Sequence, residues 1–274
     1  MGQPRRIDLN QPRSVVRIVG TTLSMYFRFP FLFLTLALAV VVPYQLLWLL
    51  ARGGSAFDRG SRWISYLDRF VGWPFAIALV SALHVYAVSM IGEGERPHLL
   101  EVARRGLRVL PRVAVAEVVV TFCIGLPFAI VEFVVEMWHP RWVDALSVTF
   151  LVLAIPAIYL SVRWAVVAQA VAIERLRWRA ALARSARFAS HNYRHIAGLV
   201  VLIWFIGYAI SFAAFVRIVH DASPIAKATL TVEIILIGSQ TIIWSLTALT
   251  SAILYFDLHA RFDSAKLNHA PNNS

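Results

Sequence analysis

The sequence predicts an all-α membrane protein: six transmembrane helices arranged as three hairpins, each preceded by a basic amphipathic interfacial helix. Three observations carry that reading. Uninterrupted apolar runs of about 20 residues recur six times, at about 29–50, 71–91, 113–135, 143–166, 196–216 and 226–255. Each is long enough to cross the roughly 30 Å of bilayer hydrocarbon as a helix. A short basic stretch precedes every second run, and the runs after these stretches begin near Phe31, Val113 and Ile196, steps of 82 and 83 residues, which is the mark of an internal repeat. Arginine and lysine are also unevenly divided between alternate loops. Hydrophobic residues make up 59% of the chain, more than a soluble core requires. The ten-residue alternation of a membrane barrel is absent. All 274 residues read as one integral membrane domain, with pseudo-repeats at about 13–91, 99–172 and 180–258 and flexible tails at 1–12 and 264–274.

The first repeat opens on a collar at 13–28. Val15, Val19, Leu23 and Tyr26 share one helical face, and Arg13, Arg17, Ser24 and Arg28 share another. Such a helix lies in the interface with its arginines among headgroups. Pro30 sits at the turn into the first span, where a missing amide does little harm. That span is too long for a signal-peptide core and lacks a small-residue cleavage site, so it is expected to be retained. In the second collar Leu99, Ala103, Leu107 and Leu110 oppose Glu101, Arg104, Arg105, Arg108 and Arg112, and Pro111 marks the turn into span three. In the third, Arg184, Arg187, His191 and Arg194 form a stripe, with Leu182, Phe188 and Tyr193 elsewhere. Loops on the opposite side are expected at about 51–70, 137–142 and 217–225.

The net charge is +11, and its distribution argues against a nucleic-acid partner. Eighteen lysines and arginines fall on the side of the termini and collars, seven on the other, and Arg163 lies within a span. The positive-inside rule then places both termini in the cytoplasm of a bacterial cell, with the chain in the inner membrane. The expected partners are anionic membrane lipids, with Arg104, Arg105, Arg108, Arg184, Arg187 and Arg194 as the candidate headgroup contacts. Each such cation adds about 1 kcal/mol near an anionic leaflet. Two other readings stand beside it: collars that only orient the spans, and a membrane-protein partner on the same basic face.

Charged and polar residues inside spans are functional candidates because burying them in lipid is costly. Here they are Glu233, toward the outer end of span six, and His84, Glu117, Arg163 and Gln169, of which the last four form a candidate intramembrane polar cluster. Arg163 and Glu117 lie near the same leaflet, where they would pair, snorkel separately to the headgroups, or contact a substrate. HExxH, GxSxG, P-loop and GxGxxG signatures are all missing, so no catalytic residue is assigned and no enzyme activity is expected. Cys123 is the single cysteine and lies in an apolar run, so no disulfide and no cysteine metal cluster is expected. His191 and His195 stand four apart on the third collar without a nearby carboxylate, and solvated histidines are the better reading. No cofactor is expected.

Three segments, YLSVRWAVVAQAVAIE, WRAALARSARFASHNYRHIAGLVVL and AILYFDLHARFD, resemble a prokaryotic family of six-span membrane proteins. That family includes the membrane domain attached to some glycerophosphodiester phosphodiesterases. The pattern is carried by Arg163 and Trp164 in span four, Glu174 at its exit, Ala181, Leu182, Arg184 and Ser185 in the collar, and Tyr255, Asp257 and Leu258 in span six. His259 stands where a second basic residue is common, and Arg177 where a glycine often follows the glutamate. The resemblance implies a bacterial cytoplasmic-membrane protein without the phosphodiesterase barrel, for which six spans leave no room.

The expected role is therefore that of a non-enzymatic membrane protein, binding anionic lipid or a partner protein at its basic cytoplasmic face. The alternative is a small-solute or lipid transporter with a cavity near Arg163. Asp257 is expected at the basic interface, where a lone carboxylate requires a cation. Arg184 is the first candidate for a structural ion pair clamping the third collar to span six, ahead of Arg187 and Arg163.

Overall fold

The computed structural model describes Leu9 and residues 11–51, 62–138, 143–221 and 225–268, and every regular element among these is helical. The order is α1 (Val15–Arg28), α2 (Pro30–Ala51), α3 (Arg62–Leu67), α4 (Trp73–Glu93), α5 (Leu99–Trp138), α6 (Val143–Arg163), α7 (Val167–Glu174), α8 (Trp178–Asp221) and α9 (Ile225–Asn268). A π-helical turn, Asp68–Gly72, joins α3 to α4 without interrupting the rod. Six stretches are long and apolar enough to cross a membrane: Pro30–Ala51, Ile64–Glu93, Leu99–Val134, Val152–Glu174, Trp178–Ala214 and Ile234–Ser264.

The core forms around α4, which packs against α2, α5, α7 and α9. Its sequence explains the position. Ala76, Ala78, Ser81, Ala82 and Ala87 are all buried, and small side chains let neighbouring backbones come close where lipid supplies no hydrophobic drive. Gly106 of α5 contributes to the same fit, because a Cβ there would meet Leu83 of α4 at 2.8 Å. At the far end of α4, Gly94 ends the helix in a left-handed conformation (φ 81°). Its N–H bonds to the Ile91 carbonyl at 3.1 Å and that of Glu95 to the Met90 carbonyl at 2.9 Å, a closure that favours glycine.

The second half of α8 takes the opposite position, on the flank, with Trp204, Phe205, Tyr208 and Phe212 exposed. Where α2, α4, α5 and α9 meet away from the collars, polar side chains are paired within the protein. Tyr44 donates to Asp68 at 2.5 Å, Arg69 and Glu132 form an ion pair at 2.5 Å, and Gln45 donates to Gln240.

The collars depart from the expected pattern. α1 is a separate helix, capped by the Ser14 hydroxyl, which accepts from the Arg17 N–H at 3.3 Å, and ended at Phe29 before Pro30. The second collar is not separate. α5 runs unbroken through Pro111 for 40 residues, a rod of about 60 Å, twice the hydrocarbon thickness. The third collar is continuous with span five across a kink at Asn192 (φ −127°, ψ 21°). The second collar's buried face is also rotated from expectation. Val102, Gly106, Val109 and Val113 are buried along with the expected Leu110, and Ala103 is half-buried, whereas Leu99 and Leu107 are 44% and 55% exposed. Gly106 lies on that buried face, where a Cβ would meet Leu83 of α4. The expected loops shrink as well, since α3 begins at Arg62 and α8 reaches Asp221. Residues 52–61, 139–142 and 222–224, with much of both tails, lie outside the described residues.

Candidate functional site

At the end carrying the collars, span four does not run straight to its exit. α6 stops at Arg163, residues 164–166 form a turn, and α7 resumes at Val167. Arg-Trp-Ala-Val contains no helix breaker, so the cause is tertiary. Ser185 of α8 is buried against the break. Its hydroxyl donates to the Arg163 carbonyl at 3.0 Å and accepts from the Val166 N–H at 3.4 Å, replacing the bonds the helix gives up. α7 then returns buried, from Val167 through Ala172. Arg175 closes it in the left-handed region (φ 54°, ψ 30°), a conformation uncommon for residues with a side chain. The following turn directs α8 back alongside α7.

Two carboxylates tie this end together. Glu174 Oε1 accepts from Arg184 Nε at 3.0 Å and from the Tyr255 hydroxyl at 2.9 Å. The Arg184 guanidinium is also stacked over the Phe188 and Phe262 rings, 4.5 and 4.8 Å from their centroids. The exit of span four, the third collar and span six thus share one knot. Asp257 is fully buried in a second. Its Oδ2 accepts from Arg261 Nε at 2.8 Å and lies 3.1 Å from His195 Nε2, while Oδ1 accepts the backbone N–H of Arg13. Arg261 also donates to the Arg13 carbonyl.

This corrects the expected Asp257–Arg184 pair. Asp257 does clamp α8 to α9, through His195, but its cation is Arg261 one turn along its own helix. Arg184 is committed to Glu174, with 13% of its side chain exposed, and is withdrawn from the headgroup contacts. His195, expected as a solvated residue, belongs to this knot, and the Arg13 amide is a partner that no side-chain pattern announces. The i,i+4 spacing of Asp257 and Arg261 was the signal available.

The four residues expected to form an intramembrane cluster do not meet. His84 is fully buried in the core, its Nδ1 2.9 Å from the Val80 carbonyl and its Nε2 3.0 Å from Ser245 Oγ. Because a carbonyl only accepts, Nδ1 carries the proton. Phe33 stacks on the imidazole with a centroid separation of 5.5 Å. Gln169 is buried with its Oε1 lacking a hydrogen-bond partner among the described residues. Glu117 is half-buried and makes no hydrogen bond or ion pair with another described residue. Arg163 faces outward. Side chains in a helix lean toward its N-terminus, so the guanidinium runs back to Tyr159, whose hydroxyl accepts from Nη1 at 2.7 Å, rather than across to Glu117.

The remaining arginines at this end divide in two. Arg105 is held by Glu101 at 2.5 Å. Arg104, Arg108, Arg187 and Arg194 are exposed and make no ion pair with a described residue, and the same holds for Arg175 and Arg177 in the turn. A cavity of about 540 Å³ lies elsewhere, on the flank between α4, α8 and α9, with Trp73, Trp204, Tyr208, Gln240 and Trp244 among its walls. Arg163, His84, Glu117 and Gln169 are not part of that lining. Among the described residues no group of three or more His, Cys, Asp or Glu side chains gathers to hold a metal.

No family model, curated protein or solved structure matches this chain. Nothing in those comparisons links it to the phosphodiesterase membrane domain. The residues that carry that resemblance nevertheless share a location: Arg163, Glu174, Arg184, Ser185, Tyr255 and Asp257 all take part in the contacts just described. Their chemistry here is that of packing: two carboxylates neutralised in place and one broken helix repaired.

Proposed function

We propose that this protein is a non-catalytic membrane module whose basic end, in the cytoplasm of a bacterial cell, binds anionic lipid. One observation carries the reading, the sorting of the arginines. Glu174, Asp257 and Glu101 are taken by Arg184, Arg261 and Arg105, and Asp263 by His259, while Arg104, Arg108, Arg187 and Arg194 stay exposed without an acidic partner among the described residues. Cations left over on elements that extend past the apolar length of their spans suit a layer of headgroup phosphates. The resemblance to the six-span family supports the same reading, because its motif residues serve the shape of this end.

The test is thermal unfolding in neutral detergent titrated with phosphatidylglycerol or with zwitterionic phosphatidylcholine. Phosphatidylglycerol is expected to raise the midpoint more, with the difference shrinking as salt screens it. Replacing Arg104, Arg108, Arg187 and Arg194 together by glutamine should shrink the difference, at roughly fivefold in affinity per arginine lost. Equal stabilisation by both lipids overturns the proposal. If both lipids fail while a membrane protein co-purifies through the same arginines, the face belongs to a protein partner instead.

The cavity between α4, α8 and α9 favours the second reading, transport of a small solute or lipid. Its volume falls in the range of small-molecule sites, roughly 300–1,000 Å³. Uptake or lipid movement in proteoliposomes, abolished by filling the cavity with Gly207→Leu, would establish it.

A further inference from the structure

Arg163 is the charged residue furthest into the apolar sequence of span four, within Val152–Glu174, and it faces out from the bundle. Its guanidinium has no carboxylate partner among the described residues. It is nevertheless held in place. Tyr159, one turn earlier, accepts from Nη1 at 2.7 Å, and its ring centroid lies 5.8 Å from Cζ. Tyr193, on α8 immediately after the Asn192 kink, brings its ring to 5.9 Å from that of Tyr159 at an interplanar angle of 30°. Both tyrosines are exposed, at 45% and 37%. The Ser185 bridge fixes the height of this group at the break where α6 ends and the α7–α8 hairpin begins.

A fixed guanidinium with most of its five donors unspent fits a tetrahedral oxyanion better than a point acceptor does. Two tyrosines at one level mark a membrane–water boundary, and the hydroxyl proton of each is available to a further acceptor. At that boundary the abundant oxyanion is the phosphate of a phospholipid.

We infer that Arg163, Tyr159 and Tyr193 form a seat for one phospholipid phosphate where α6 meets α8. The seat rests on the reading of this end as a lipid-facing surface, but it differs from the exposed arginines in what it recognises. They respond to net negative charge, and the seat responds to the phosphodiester itself, so phosphatidylcholine occupies it as well as phosphatidylglycerol does.

The experiment measures lipid retained per protein after gel filtration in about 1 M salt, where the screening length is about 3 Å and diffuse attraction is lost. The protein is loaded separately with phosphatidylglycerol, phosphatidylcholine or a galactosyl diacylglycerol, which has no phosphate. Either phospholipid should be retained near one per chain, and the galactolipid should not. Arg163→Gln should lower retention about tenfold, as expected for losing one charge-assisted contact, and Tyr159→Phe should lower it less. Arg179→Gln, an exposed arginine in neither set, should leave it unchanged. Unaltered thermal unfolding of Arg163→Gln establishes that the fold is intact. Equal retention of galactolipid, or full retention by a folded Arg163→Gln, overturns the seat. Displacement by millimolar inorganic phosphate would make it a site for free phosphate, which also overturns it. A missing phosphatidylglycerol preference in the unfolding titration removes the basic-face proposal alone.

Discussion

Asp257 has no exposed side-chain surface, and three donors converge on its oxygens: Arg261, His195 and the Arg13 amide. Asp257→Asn places an N–H₂ group among donors, so unfolding in detergent should show a loss of about 3–5 kcal/mol, as for other one-sided breaks of buried pairs. Pairing is tested by double-mutant cycles. Asp257→Asn and Arg261→Gln should couple, whereas Asp257→Asn and Arg184→Gln should add to within about 0.5 kcal/mol, because their ion pairs are separate. A strong Asp257–Arg184 coupling would restore the pairing expected from topology. The sequence disclosed the need for a cation at Asp257 but not its identity. Arg184 is taken by Glu174 because the Arg175–Leu176–Arg177 turn folds α8 back onto α7, and that turn carries no glycine or proline to announce it. The Arg13 contact is made by backbone, which no side-chain pattern reports. Hydropathy likewise gave the height of Glu117 and Arg163 in their helices. Their azimuth, which decides whether they meet, depends on tertiary packing.

Glycines distinguish helices that touch from those that do not. A Cβ at Gly72 would run into the Trp48 indole, whereas one at Gly20, in the exposed middle of α1, would meet nothing within 4 Å. Gly72→Ala should therefore destabilise the bundle by about 1–3 kcal/mol through overpacking. Gly20→Ala should stabilise it by about 0.5–1 kcal/mol through helix propensity. Chemical unfolding of the two variants side by side is the check, and shifts of the same sign would contradict the packing at Gly72. Ser185→Ala strands a buried carbonyl and a buried amide at the break in span four, and should cost about 1–3 kcal/mol in the same assay. The spans themselves were legible because lipid forces every backbone amide into helix and sets a minimum apolar length. The junctions were not, since α1, α5 and α8 enter their spans by a break, a continuous rod and a kink. Pro111 shows why: a proline that reads as a turn is tolerated inside a helix that neighbours hold straight.

For the whole molecule the orientation test is a pair of reporter fusions, one after Leu258 and one within 51–69. The first should be active only in the cytoplasm and the second only outside it, and a C-terminal reporter active outside would invert the arrangement. The knot at Asp257 bears on how the chain is made. Arg13 and Asp257 are 244 residues apart, with five complete spans between them. At roughly 5–20 residues per second of synthesis, the ribosome needs on the order of tens of seconds to deliver the carboxylate after the arginine has emerged. Until then the N-terminal collar has no anchor in span six. α1 thus leaves the ribosome before the spans that follow it, yet its seam with α9 closes only once span six has been made.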